Sequence, residues 1–418
     1  MKYNKTIQKN LTLNHIQTKP FKSTKIRVAF VAPLERDTAT IRAILPYIMR
    51  AASKKYPSRI DVSTKVNDMY AARFNVGVSK KGETHMILFE LSIIDDPYTL
   101  FGESLFKEGL DFLHEMIYNP VLSEEIYNEE YRLMTEYYQS IYANKMRYAI
   151  QTLQDTMFEN EPYRINALGD LETLNTLKFE DIRINFESMI KNDLMNITVV
   201  GDIDFDYVNK EILSLFGVND ISFEPVLIER VTKDVEKINV KSMIQDVEQA
   251  KLVLGYRLPV YYKQDLYYEA ILFDMLFGGS SESLLFKKIR EELGLVYSVQ
   301  SSYNPYKGVF FIYLGINKEE YDHVLEEIDL LLKSIDSTTE LEEYLDIAKK
   351  SYTNGLIQSY DSINGIAYKL EHSSLYEQEI DMDKTLNTIK GISLNDIKEV
   401  VQKLTLDTIC FLHGEDNE

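Results

Sequence analysis

The chain has no tryptophan and only one cysteine, Cys410. A single thiol excludes an intrachain disulfide framework, and its place in the apolar run Thr408-Ile409-Cys410-Phe411-Leu412 reads as a buried core residue. Long apolar runs are also missing: none approaches the ~20 residues that a bilayer-spanning helix needs. The N-terminus is polar and lacks the apolar core of a signal peptide, so a cytoplasmic location is expected. Positive charge is short. Lys+Arg 46 against Asp+Glu 66 gives a net charge of −20, which argues against a nucleic-acid backbone as the main partner. Basic or unfolded peptides suit such a surface better. Histidine is sparse: His15, His85, His114, His323, His372 and His413 are scattered, and none forms a His-x-x-Glu-His or reversed arrangement.

What is present is a unit written twice. Lys25-Ile26-Arg27-Val28-Ala29-Phe30-Val31-Ala32-Pro33 and Lys251-Leu252-Val253-Leu254-Gly255-Tyr256-Arg257-Leu258-Pro259 are alternating strands that each end at a proline. Arg42-Ala43-Ile44-Leu45 and Glu269-Ala270-Ile271-Leu272 then each open an apolar helix. Near the end of each half stands the same tetrapeptide, Thr173-Leu174-Asn175-Thr176 and Thr385-Leu386-Asn387-Thr388. Matches in the same order at a nearly constant offset of roughly 212 to 227 residues argue for duplication. A length of 418 residues allows roughly two to four domains, and half of it is ample for a core.

The element order repeats as well. In the first half, Thr12–Gln17 and Thr24–Ala32 read as strands, Thr38–Lys54 and Thr64–Ala72 as helices. Arg73–Ser79 and Thr84–Ile93 form a hairpin turning at Gly82. Helices over Ser104–Tyr118 and Ser123–Phe158 follow, the second broken near Ala143, and then a short buried strand, Asn196–Gly201. In the second half, Ala250–Leu258 is a strand, Gln264–Leu276 and Glu282–Leu293 are helices, and Tyr297–Tyr303 pairs with Val309–Ile316. Helices Lys318–Ser334 and Glu340–Tyr360 and a closing strand, Thr408–His413, complete it. The fold class is α+β: two homologous αβ sandwich halves, each with an antiparallel or mixed sheet of about five or six strands backed by helices. The expected domains are 1–218 and 237–418, joined by a linker at 219–236 that carries a proline, several charges and little periodicity.

The run Phe277-Gly278-Gly279-Ser280-Ser281-Glu282-Ser283-Leu284-Leu285-Phe286-Lys287-Lys288-Ile289-Arg290-Glu291-Glu292-Leu293-Gly294-Leu295-Val296-Tyr297-Ser298-Val299 resembles the signature stretch of the insulinase (pitrilysin-like, M16) metallopeptidase family. That family includes mitochondrial processing peptidase and the core subunits of the bc1 complex. Arg42 to Ser53, Lys54-Lys55-Tyr56-Pro57 and Ser79-Lys80-Lys81-Gly82-Glu83 resemble the non-catalytic member of the short-chain pairs of Gram-positive bacteria, a group whose names link it to elongation factor P modification. The resemblance implies a duplicated M16-like domain across nearly the whole chain.

Active members carry His-x-x-Glu-His on the first-half helix, two zinc ligands one turn apart with a glutamate as general base. Aligned on Met49, the ligand positions here hold Ile44 and Ile48, and the base position holds Tyr47. Glu129 and Glu136 keep the Glu-x6-Glu spacing that supplies the third ligand in active members, but read more simply as surface carboxylates of an acidic helix. The resemblance also implies that Arg290 and Tyr297, with Gly294 between them, hold bound peptide and help stabilise a developing oxyanion. The first-half segment Lys65-Val66-Asn67-Asp68-Met69-Tyr70 lacks the arginine and the glycine.

Two functions follow as expectations. In one, the chain has no catalytic residue or metal of its own. It pairs with a homologous zinc-bearing M16 subunit around a peptide or unfolded polypeptide and lends Arg290 and Tyr297 in trans. In the other, it is a non-proteolytic scaffold in a maturation pathway. A homodimer of the chain alone stays open, and neither nucleic acid nor a membrane span is expected.

Overall fold

The computed structural model describes residues 2–216, 233–335, 341–376 and 381–415. The chain gathers into two compact units. The first holds strands β1 (Lys2–Gln8), β2 (Leu11–Gln17), β3 (Ser23–Pro33), β4 (Arg73–Lys81), β5 (Thr84–Ile94) and β6 (Leu194–Gly201). Its helices from this part of the chain are α1 (Arg36–Ala51), α2 (Arg59–Asp68), α3 (Leu105–Tyr118), most of α4 (Glu124–Ala143), α6 (Leu171–Thr176), α7 (Phe179–Asn192) and α8 (Phe205–Leu215). The second unit includes α5 (Lys145–Met157), strands β7 (Asn239–Ile244), β8 (Ala250–Arg257), β9 (Val296–Asn304), β10 (Val309–Ile316) and β11 (Thr405–His413), and helices α9 (Tyr267–Phe277), α10 (Tyr321–Ser334), most of α11 (Leu341–Tyr360), α13 (Met382–Gly391) and α14 (Leu394–Val401). The remaining helix, α12 (Ile363–Tyr376), packs in the first unit.

The two sheets correspond strand for strand. The first is ordered β1-β2-β6-β3-β5-β4 and the second β7-β11-β8-β10-β9. β3 lies antiparallel between β6 and β5, and β8 lies antiparallel between β11 and β10. β2 runs parallel to β6, and β7 runs parallel to β11. These are mixed sheets backed by helices, as the sequence implies, and Lys25–Ala32 and Lys251–Leu258 fall on equivalent strands. β1 alone has no counterpart among the described residues.

Both faces of each central strand are covered, so these strands read as near-continuous apolar runs. On β3, Ile26, Val28 and Phe30 are fully buried, and so are Ile41, Ile44, Leu45 and Ile48 on α1. Burying one such side chain stabilises the fold by about 2 kcal/mol. The opposite face is closed by a helix from the other half of the sequence. Ile366, Ala367 and Leu370 of α12 cluster with Ile16 and Val200. Reciprocally, Ala149, Leu153 and Met157 of α5 cluster with Val253, Cys410 and Leu412. Gly255 permits the second contact, since a Cβ there would stand 2.7 Å from Met157 Sδ. The compact units therefore differ from the sequence halves: Gln139–Arg164 belongs with the second unit and Gln358 through α12 with the first. The expected linker lies mostly outside the described residues, and residues 233–238 have no regular structure.

Buried basic groups meet a glutamate at matching places, Glu371 within α12 and Glu161 just after α5. Lys81-Gly82 and Lys307-Gly308 close the two hairpins, separated by the same offset as Lys25 and Lys251, and both glycines have positive φ, 56° and 64°. Lys81 Nζ lies 3.9 Å from Glu371 of α12 and 4.1 Å from the Tyr368 ring centroid. Lys307 Nζ lies 2.7 Å from Glu161 and 5.9 Å from the Tyr163 ring centroid. An arginine completes each set: Arg27 Nη2 is 3.0 Å from Glu371, and Arg257 Nη2 is 3.2 Å from Glu161.

Local details depart from the sequence reading in two places. α2 begins right after the turn, at Arg59, because Ser58 Oγ accepts from Asp61 N at 3.2 Å. The segment expected as a helix over Glu282–Leu293 is π-helical over Phe286–Glu292. The break near Ala143 is where expected, with Asn144 capping α5 through Arg147 N at 3.1 Å. Among the described residues no helix is long and apolar enough to cross a membrane.

The buried lysines give the fold a defined alkaline response. Burial, reinforced by Arg27 and Arg73, lowers Lys25 from 10.5 to about 8. Burial also lowers Lys81 to about 8, with Glu371 opposing and Arg27 adding to the shift. Between those values and 10.5 the unfolded chain binds more protons than the native one, so these two groups make stability rise with pH. Near pH 10 the sign reverses, because burial raises Tyr118 and Tyr313 to about 12 and the unfolded phenols ionise first. Urea midpoints should therefore climb from pH 7.5 to 9.5 and fall by pH 11. In Lys25→Met/Lys81→Met the climb should shrink, and an unchanged climb there would refute the assignment.

Candidate functional site

The first candidate region is α1, whose helical period sets Ile44 and Ile48 on one face. Both are 0% exposed and sit in the core. Tyr47 is half-buried, with the Arg50 guanidinium 5.6 Å from its ring centroid. Burial raises the Tyr47 phenol first of all; Arg50 opposes the shift, and Glu130 and Tyr137 of α4 add to it. The carboxylate facing this region is thus Glu130, one residue after Glu129. Glu130 is buried and accepts from Arg59 Nη2 at 2.7 Å. Glu129 is exposed and pairs with the same arginine at 3.1 Å, while exposed Glu136 pairs with Arg132 at 2.7 Å, one turn away on α4. Glu130 and Tyr137 share the x6 spacing of Glu129 and Glu136, shifted by one residue.

These residues do not fit zinc. Two buried aliphatic groups and a protonated phenol occupy the helix face, and the nearby carboxylates are paired with arginine. The six histidines lie on six different elements, β2, β5, α3, α10, α12 and β11. Among the described residues no three His, Cys, Asp or Glu side chains converge into a metal-binding group.

The second region keeps its functional groups accessible. In the π-helical turn Leu293 N donates to Lys288 O at 3.0 Å, and Leu295 N reaches back to Ile289 O at 3.0 Å. Gly294, at φ 65° with open space beside it, makes that reversal. Ile289 is fully buried and anchors the turn, leaving Arg290 exposed. π-turns recur at functional sites because they re-aim side chains. The local carboxylates are already engaged: Lys287 pairs with Glu282 at 3.4 Å and Glu291 at 3.1 Å, and Lys288 with Glu292 at 3.0 Å. Arg290 has no carboxylate partner among the described residues and stacks over Phe286 at 4.6 Å.

Tyr297 opens β9, is 49% exposed and donates its hydroxyl to Asn317 Oδ1 at 2.9 Å. Behind it, Ser301 of β9 is tied to the end of α9. Ser301 Oγ donates to Asp274 Oδ1 at 2.5 Å, and Ser301 N donates to Gly278 O at 3.0 Å. A Cβ at Gly278 would stand 2.7 Å from Ser301 Oγ, so the glycine permits this approach. Phe286, Asn317 and the Asp274–Ser301 bond are supports that the sequence reading did not single out. Their only sequence signal is that the Gly278-Gly279 stop directly precedes the Arg290 segment.

Comparisons with known proteins place the chain among similar sequences and folds. The sequence model described as Peptidase M16 inactive domain matches residues 176–352. A relative called "Probable inactive metalloprotease YmfF" from Bacillus subtilis is 28% identical over 411 residues, covering 97% of this chain and 96% of that protein. An "Uncharacterized zinc protease" from Rickettsia bellii is 24% identical, covering 71% of this chain and 72% of that protein. A crystal structure of a conserved protein from Enterococcus faecalis V583 superposes with a TM-score of 0.93 at 26% identity, covering 100% of both chains. With isoleucine where active M16 members carry histidine and with two strand-matched sheets, the chain is similar to M16-family proteins, among them a relative named as inactive and others named as zinc proteases.

Proposed function

We propose that the chain is the non-catalytic member of a two-subunit, M16-type peptide-processing assembly in the cytoplasm. A homologous zinc-bearing subunit would supply metal and general base. This chain would lend Arg290 and Tyr297 to hold an extended or unfolded peptide and to donate hydrogen bonds where negative charge develops. The observation that carries the reading is Arg290, an exposed guanidinium held on a π-turn anchored by buried Ile289, beside lysines that take the local carboxylates. An arginine kept solely for an ion pair would have its anion in place. Tyr297 supports the reading, since it is half-exposed and braced by Asn317.

The test is reconstitution with a purified zinc-bearing M16 subunit from the same genome. Alone, this chain should retain less than one zinc per molecule and hydrolyse no peptide. Mixed with that subunit, it should form a stable complex and raise peptide turnover. One tightly held zinc per chain, or a partner fully active without it, would overturn the proposal. A stable complex whose turnover is unchanged would favour the scaffold role instead.

A further inference from the structure

We propose that Tyr47 and Arg50 of α1 form a binding subsite for a carboxylate carried by a polypeptide. The class of ligand rests on the peptide-handling role proposed above; the site itself stands on the local geometry of the first unit. The groups around it come from α1, α2, α4 and β4, all described in full.

Arg50 is the informative residue. A guanidinium taken partly out of water needs an anion or other acceptors to replace its hydration. The other described arginines that are buried or partly buried, Arg27, Arg42, Arg164 and Arg257, each have a carboxylate within 3.4 Å. Arg50 is also partly buried, yet its guanidinium has no ion pair or hydrogen bond among the described residues and stacks over the Tyr47 ring at 5.6 Å. The carboxylates of the neighbouring α4 are already taken, Glu130 and Glu129 by Arg59 at 2.7 Å and 3.1 Å.

Tyr47 is the second donor. It stands three residues before Arg50, on the same side of the helix. Burial raises its phenol first of all, Arg50 opposes the shift, and Glu130 and Tyr137 add to it, so the hydroxyl keeps its proton at neutral pH. That hydroxyl has no hydrogen-bond partner among the described residues. A Cβ at Gly77 of β4 would meet nothing nearer than this oxygen, at 4.0 Å, so there is room beside it.

The donor set defines the ligand chemistry. A guanidinium fork suits a planar, two-oxygen acceptor, and a protonated phenol adds one more O–H. A carboxylate meets both with a single negative charge. A phosphate dianion fits less well, because the Glu130 carboxylate already acts on Tyr47. A polypeptide carries carboxylates at its C-terminus and on its acidic side chains, and these donors accept either.

The test is calorimetric titration of the purified chain with an N-acetylated alanine peptide that ends in a free carboxylate. The same peptide as its C-terminal amide should bind on the order of tenfold more weakly, the worth of a hydrogen bond to a charged group. This comparison needs no variant. An amidated peptide with one internal glutamate separates the two sources: recovered binding assigns the site to acidic side chains, and continued weakness assigns it to chain ends. Arg50→Gln and Tyr47→Phe should each reduce the preference for acid over amide, with the melting temperature nearly unchanged. Arg290→Ala should leave that preference intact, so this site and the one proposed around Arg290 fail separately. Equal affinity for acid and amide, no uptake of the free acid at millimolar concentration, or an Arg50→Gln protein that keeps the full preference would each overturn the proposal. Loss of the preference in Arg290→Ala would do the same.

Discussion

Glu371→Ala is expected to cost the first unit on the order of 3–5 kcal/mol, because removing one member of a buried ion set leaves the others charged and unpaired. The Glu371 side chain is 1% exposed and sits between Arg27 at 3.0 Å and Lys81 at 3.9 Å. Arg27 would keep Glu90 as a partner, as would Lys25, whose Nζ is 3.3 Å from it. Among the described residues Lys81 would keep only the Tyr368 ring, a far weaker counterweight for a buried ammonium. The readout is the urea midpoint together with hydrogen exchange in α12, which should lose protection before the rest of the unit. Glu136→Ala removes an exposed i,i+4 pair and should shift stability by less than about 0.5 kcal/mol. The combination Arg27→Met/Lys81→Met/Glu371→Leu should recover much of the loss, since apolar groups of similar volume can replace a buried ionic set. Equal midpoints for Glu371→Ala and Glu136→Ala would show that the cluster does not hold the helix.

The core of this architecture was legible because it is apolar on both faces. β3, β8, β5 and β10 are continuous or alternating hydrophobic runs, and nothing but buried strands explains them. β1 and β7 were not read, for the opposite reason. They are edge strands with polar, partly exposed side chains, so half of the period-two signal is missing. The exchange of α5 and α12 between the sequence halves was equally hidden. Amphipathic periodicity shows that a helix has a buried face but not which sheet receives it. Once the fold is known, the Lys-Gly turns and their distant glutamates explain the choice. At the site, the loss of both histidines was plain in sequence, whereas the inward carboxylate was not. Glu129 and Glu130 differ by one helical step of about 100°, and only packing against α1 separates them. Arg290 and Tyr297 were found through a family-like stretch. Their support by Phe286 and Asn317 needed coordinates, because a π-turn has no sequence period to recognise.

Arg290→Ala should lower peptide turnover of the assembled pair on the order of 10²-fold, the usual cost of removing one donor aimed at developing negative charge. Tyr297→Phe should act in the same direction, since it deletes the hydroxyl and keeps the ring. Neither change should disturb folding. Arg290 is exposed and makes no ion pair among the described residues, and Tyr297 is half-exposed with one hydrogen bond, to Asn317. Surface groups of this kind are usually worth no more than about 0.5 kcal/mol of stability. The kinetic parameters separate holding from catalysis. A donor that grips peptide equally in ground and transition states raises KM alone, whereas one that strengthens only as charge develops lowers kcat. Two neighbours calibrate the result. Lys287→Ala breaks ion pairs on the same turn and should leave turnover nearly unchanged. Asn317→Ala frees the Tyr297 hydroxyl from its brace, and should lower turnover less than Tyr297→Phe does. A structural role would reverse this pattern, with melting temperature or yield falling and turnover dropping only in proportion to the folded fraction. Unchanged turnover in a stable, fully assembled Arg290→Ala complex would end the trans-donation reading.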